Sequence, residues 1–158
     1  MPKPIARELA EPTPSPAVTA CAAADSLLRA ATECVRQHER ISRFLELGCS
    51  DTELQHIARM IALADMHLDA MAAAYEKSAT AAPSAKDEGW WHAANALWHA
   101  TREYRRRNAG TNDVSRLAGR HPKAKLGELA MEYELERSAL IALKQSATAY
   151  RAARPDRE

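Results

Sequence analysis

Residues 50–79 read SDTELQHIARMIALADMHLDAMAAAYEKSA, and this stretch decides the fold. Its apolar positions, Leu54, Ile57, Ile61, Ala64, Leu68, Met71 and Tyr75, follow one another at alternating steps of three and four residues. An α-helix turns once in about 3.6 residues, so such a row forms a continuous stripe along one side of a helix. A mean step of about 3.5 residues is the spacing of helices that pack side by side with a left-handed supercoil. The start is marked too. Ser50 followed by Glu53 is a capping box, in which hydroxyl and carboxylate satisfy backbone amides left without partners at a helix start.

The same spacing recurs on both sides. Leu27, Ala31, Cys34, His38, Ile41 and Leu45 form a stripe in a helix predicted over 17–47, with Gly48 free to take the left-handed conformation that ends it. Leu126, Leu129, Tyr133, Glu136, Leu140, Leu143, Ala147 and Tyr150 form another over 122–153, opened by Pro122 and followed by Pro155. Over 85–108 two rows adjoin: Trp90, Ala93, Leu97, Ala100, Tyr104, and Trp91, Ala94, Trp98. Pro83 and Ser84 suit the start of that helix; Arg105, Arg106, Arg107 and Gly110 suit its end. Residues 109–121 are predicted as a link containing at most one short helical turn. The connections at 48–50 and 80–84 are short enough to make the first three helices antiparallel neighbours, while the longer link leaves the place of the fourth open.

Composition agrees. Of 158 residues 34 are Ala, while Val and Ile together number eight, Gly five and Phe one, which disfavours a sheet. The expectation is an all-α, antiparallel four-helix bundle with coiled-coil-like packing, one domain over 17–153. Residues 1–16 carry five of the eight prolines and are expected to form a disordered tail. Lys and Arg number 22 against 21 Asp and Glu, so there is no global pull toward nucleic acid or an anionic membrane. No apolar run has the length of a membrane span or the form of a secretory leader. Cys21, Cys34 and Cys49 form no CxxC motif, and an odd count fits reduced thiols in a cytoplasmic protein.

Two stripes contain a residue foreign to an apolar seam, His38 and Glu136. A buried carboxylate is costly unless paired or bound to metal. Levels can be estimated by counting outward from the turns. Turns centred near 49.5, 82 and 115.5 bring His38, His67, His99, Glu132 and Glu136 within about one to two helical turns of each other. Such a mixture of nitrogen and oxygen donors would suit iron, manganese or zinc. Cys34 and His38, four apart, form a further possible ligand pair. The di-metal pattern of ferritin-like bundles requires two Glu-x-x-His matches, and Glu53-Leu54-Gln55-His56 is the single one present. His67 and His99 also fit solvated faces.

Residues 102–125 hold eight basic residues, Arg105, Arg106, Arg107, Arg116 and Arg120 among them, against two acidic ones. Such a segment could contact an anion or nucleic acid, or complement the helix dipole and the acidic residues that follow. Trp91 and Trp98 widen the apolar side of their helix beyond one seam, as an interface would. No nucleotide loop, nucleophile elbow, zinc ribbon or HExxH motif occurs. The functional expectation is a non-catalytic helical interaction or scaffold protein that binds a protein partner or a second copy. A metal- or ligand-binding bundle and an anion or nucleic-acid binder are the alternatives.

Overall fold

A computed structural model describes residues 12–155, apart from residue 121 and the side chains of residues 113–126. It contains four long helices: α1 (Pro16–Leu47), α2 (Asp51–Thr80), α3 (Trp91–Arg120) and α4 (Pro122–Ala153). Among the described residues there is no strand, and no helix is long and apolar enough to cross a membrane. Residues 1–11, most of the predicted tail, lie outside the described residues.

The caps follow from local chemistry. Ser15 accepts the amide of Val18 at 3.3 Å, with Pro16 in the first helical position, where its missing N–H costs nothing. At α2 both halves of the capping box form: Glu53 N donates to Ser50 Oγ at 3.2 Å and Ser50 N to Glu53 Oε2 at 3.1 Å. Gly48 closes α1 at φ 81° and ψ 141°, where a side chain would be strained.

Partners across the interfaces give the direction of each helix. Tyr75 bonds Asn95, Trp98 bonds Ala72 and Tyr104 bonds Asp65, so numbers on α3 rise as those on α2 fall. On α1 and α4, Asp25 meets Tyr150, Thr32 meets Arg151, and Glu39 pairs with Lys144. Adjacent helices are therefore antiparallel. α1 also touches α3 across the bundle, while among the described residues α2 and α4 do not meet.

The stripes turn inward as predicted. Leu27, Ala31, Cys34, Ile57, Ala64, Leu68, Tyr75, Leu143, Ala147 and Tyr150 are buried, and Ile61 and Leu140 are half-buried. From Trp90, just before α3, the buried row continues along the helix as Ala94, Leu97, Thr101 and Tyr104, which draws from both predicted rows. The core thins toward the α1–α2 connection, where Leu45 and Tyr133 are exposed. Extending the α1–α4 pairing places Tyr133 level with about residue 50, past the last residue of α1.

Both ends of α3 correct the sequence reading. It starts at Trp91 rather than near residue 85, because Pro83–Asp87 forms a 3₁₀ turn and Glu88 is extended. Ala82, Ala85 and Trp90 anchor this connection in the core. The helix then runs through Gly110 to Arg120, where a link was expected. Thr111 is buried, with Oγ1 3.1 Å from Arg107 O and 3.4 Å from Glu132 O, so packing on α4 sustains the helix past the glycine. Gly110 suits that packing: an added Cβ would lie 3.1 Å from Glu132 Oε2. α3 thus ends at Arg120 and α4 begins at Pro122. Glu132 lies opposite Gly110 and Glu136 opposite Asn108, not near residues 99 and 95 as the earlier turn placed them.

The two glycines should respond oppositely to alanine. Gly48→Ala forces a side chain into a conformation almost reserved for glycine and should cost about 1–3 kcal/mol. Gly110→Ala removes backbone entropy from a helix interior, worth about 0.5–1 kcal/mol, less a small displacement of the flexible Glu132 carboxylate. Urea unfolding should show a loss for the first and a small gain for the second. A loss of 1 kcal/mol or more at Gly110, by about the same principle, would mean that the chain leaves the helix there.

Candidate functional site

The three largest fully buried side chains are tyrosines, and each hydroxyl needs a partner once removed from water. Tyr75 of α2 donates to Asn95 Oδ1 at 2.8 Å, and Tyr150 of α4 donates to Asp25 Oδ1 at 2.8 Å. Tyr104 of α3 donates to Asp65 Oδ1 at 3.1 Å, at the centre of a larger constellation.

That constellation draws on all four helices. Cys34 and His38 stand one turn apart on α1, Asp65 and Asp69 on α2, Tyr104, Arg105 and Asn108 on α3, and Glu136 on α4. Cys34 Sγ donates to Asp65 Oδ1 at 3.2 Å, the oxygen that also receives the Tyr104 hydroxyl. His38 Nε2 lies 2.5 Å from the same hydroxyl, the rings meeting edge to face. Since the Tyr104 proton points to Asp65, a hydrogen on Nε2 completes the contact. Arg105 Nη1 takes the other oxygen of Asp65 at 3.2 Å and holds Asp69 through Nε and Nη2 at 2.8 and 3.0 Å. The chain continues from Arg105 to Asn108 Oδ1 at 2.7 Å, and from Asn108 Nδ2 to Glu136 Oε1 at 3.3 Å. Among the described residues Glu136 Oε2 is buried and has no hydrogen-bond partner.

Burial controls the ionisation here. It pushes the Cys34 thiol far above its ordinary range, and the neighbouring Asp65 charge and hydrogen bond add to this. Tyr104 moves the same way, first through burial and then through Cys34 and Asp65. His38 is held below the usual histidine value because burial disfavours the imidazolium, and Arg105 adds to this; Asp65 and Glu136 oppose both without reversing the result. At neutral pH the centre therefore holds a neutral thiol and a neutral imidazole around the Asp65 side chain.

The residues singled out from the sequence separate. His38 and Glu136 belong to this network, and Glu132 lies one turn from Glu136. His67 and His99 are exposed, and His99 instead rests on Trp98 with ring centroids 4.9 Å apart. Asp65 and Tyr104 were not picked out, though both left a trace. Asp65 continues the row Ile61, Asp65, Leu68, and Tyr104 ends an apolar row with a hydroxyl to satisfy.

The basic segment is engaged within the fold over its described part. Arg105 serves Asp65 and Asp69, Arg106 and Arg107 both reach Glu103, and Arg102 stacks on Trp98 at 5.0 Å. The side chains of Arg116 and Arg120 lie outside the described residues.

A second feature lies between α2 and α3. Two hollows of about 370 and 420 Å³ adjoin, sharing Glu76 and Trp98. The larger is walled by Tyr75, Trp91, Trp98 and Pro83, with Asn95 and Lys86 as polar points. Trp98 divides the groove and is fixed by its Nε1 bond to Ala72 O at 3.2 Å. No family model matches this chain, and comparison with curated proteins and with solved structures finds no significant match.

His38 yields a pH prediction. Its folded-state value lies below that of an unfolded histidine, about 6.5. As pH falls through about 6.5 the unfolded chain takes up the proton first, so stability declines down to the lower folded value. Above that window the residue contributes no pH dependence. Urea midpoints of the wild type should therefore drop more steeply between pH 7.5 and 5 than those of His38→Gln, by about the linkage relation. Equal slopes would show that His38 titrates as in the unfolded chain.

Proposed function

We propose that this protein is a non-catalytic helical interaction module that seats a protein partner in the α2–α3 groove. The groove itself carries the reading. Its larger hollow has a volume within the range typical of binding pockets, about 300–1,000 Å³, and its walls are aromatic. Trp and Tyr are the side chains that most often anchor interfaces, and Trp98 is held in place before any partner arrives. Alanines line the α2 side, Ala72, Ala73 and Ala79, so a partner's side chains can approach the helix closely. Charges of both signs border the groove, Glu76 and Asp69 against Lys86 and Arg102, which suits a mixed polar rim better than a polyanion.

A second copy of the chain is the first partner to test. Light scattering over rising concentration should give a mass above the 17.4 kDa of one chain. Trp98→Ala together with Trp91→Ala should weaken the association by about 30-fold or more, the effect of losing one strong interface anchor. A monomer at every concentration would remove self-association, and association unchanged in the double variant would place any interface elsewhere.

A further inference from the structure

From the geometry at the bundle centre, we infer that Cys34, His38 and Asp65 form a binding site for one divalent zinc-like ion. The inference is independent of the α2–α3 groove. One sulfur, one imidazole nitrogen and one carboxylate oxygen, contributed by two neighbouring helices, all lie within 4.8 Å of one another. Ligands at about 2.0–2.3 Å from a tetrahedral ion are separated by about 3–4 Å, so a small contraction closes the set. Cys34 Sγ and Asp65 Oδ1 already stand 3.2 Å apart. The Tyr104 oxygen, 2.5 Å from His38 Nε2 and 3.1 Å from Asp65 Oδ1, stands at the remaining side. It can complete the sphere or hold a water that does.

The surroundings are those of a supported metal site. Arg105 occupies Asp65 Oδ2 at 3.2 Å and leaves Oδ1 turned toward the thiol and imidazole, as an outer-shell partner that orients a ligand. Asp65 and Asp69 share the guanidinium of Arg105, and among the described residues Glu136 Oε2 is buried without a hydrogen-bond partner, so the surroundings supply carboxylate oxygens that a cation can satisfy. A thiolate among the donors favours zinc over magnesium, calcium or manganese, which prefer oxygen.

Binding is a proton exchange. The ion displaces the thiol proton of Cys34, which leaves to solvent as the metal–sulfur bond forms. The imidazole moves any proton on its ligating nitrogen to the other ring nitrogen, binds as that neutral tautomer and releases none. One proton is released per ion, so affinity should rise about tenfold per pH unit while the thiol is protonated in the free protein.

The test uses the reduced, tag-free full chain and Co²⁺ as a spectroscopic probe, with Zn²⁺ in competition. Wild type should take up one Co²⁺ with a thiolate-to-metal absorption band, and Zn²⁺ should displace it. Zn²⁺ should raise the melting temperature by several degrees. Cys34→Ser should abolish the band, His38→Gln should weaken binding by about 10-fold or more, and Cys49→Ser should change neither. Circular dichroism checks that each variant is folded. Should Cys34→Ser lose its helicity, His38→Gln and Cys49→Ser still decide the matter. No band in wild type, binding unaltered by His38→Gln, or a band lost in Cys49→Ser but retained in Cys34→Ser would overturn the site.

Discussion

The fold depends on how three tyrosine hydroxyls are satisfied inside it. Each ring fills a large share of the core, and each oxygen would be costly to bury alone. Tyr75 links α2 to α3, Tyr104 links α3 to α2, and Tyr150 links α4 to α1. An apolar seam of Ala and Leu tolerates sliding by a turn, because one leucine resembles another. A buried phenol with one acceptor within reach does not. Shifting any helix by one turn, about 5.4 Å, would separate hydroxyl from acceptor and leave both without a partner. The tyrosines thus select one register from several that the stripes alone would accept.

Around Tyr104 this requirement grows into a network that gathers chemistry. Once Asp65 is present to receive the hydroxyl, its charge needs Arg105, and the guanidinium in turn recruits Asp69 and Asn108. His38 and Cys34 complete the ring from α1. Among the described residues the group is satisfied nearly throughout, the exceptions being one oxygen of Glu136 and one of Gln37. Imidazole and thiol stay neutral because burial penalises charge on both, while Arg105 pairs with the Asp65 carboxylate beside them. The aromatic groove has a different origin. It opens where α2 and α3 meet through alanines on one side and indoles on the other.

Much of the architecture could be read from one dimension. The stripe from Leu54 to Tyr75 turned inward along most of its length, and the capping box at Ser50 formed as its residue types require. The α1–α2 turn also fell where it was expected, so that Cys34 meets Asp65. The α3–α4 turn did not. Asn108 and Gly110 read as a helix end, since both are poor helix formers. In the fold Asn108 bridges Arg105 and Glu136, and Thr111 is buried against α4. Tertiary contacts of that kind outweigh a propensity cost of about 1 kcal/mol. The extra turns carried Glu132 and Glu136 away from His99 and left Glu136 near His38.

The amino-acid sequence by itself determined that this chain makes four amphipathic helices, which side of each turns inward, and where α1 and α2 begin. Those properties depend on neighbours within about one or two helical turns, a distance that periodicity and capping record directly. Only the tertiary structure decided that α3 continues past Gly110, that Asp65 and Tyr104 meet Cys34 and His38, and that His67 and His99 face solvent. These depend on vertical offset between helices. That offset is set by packing and by buried hydrogen bonds between residues 31 or more positions apart, which no local pattern encodes.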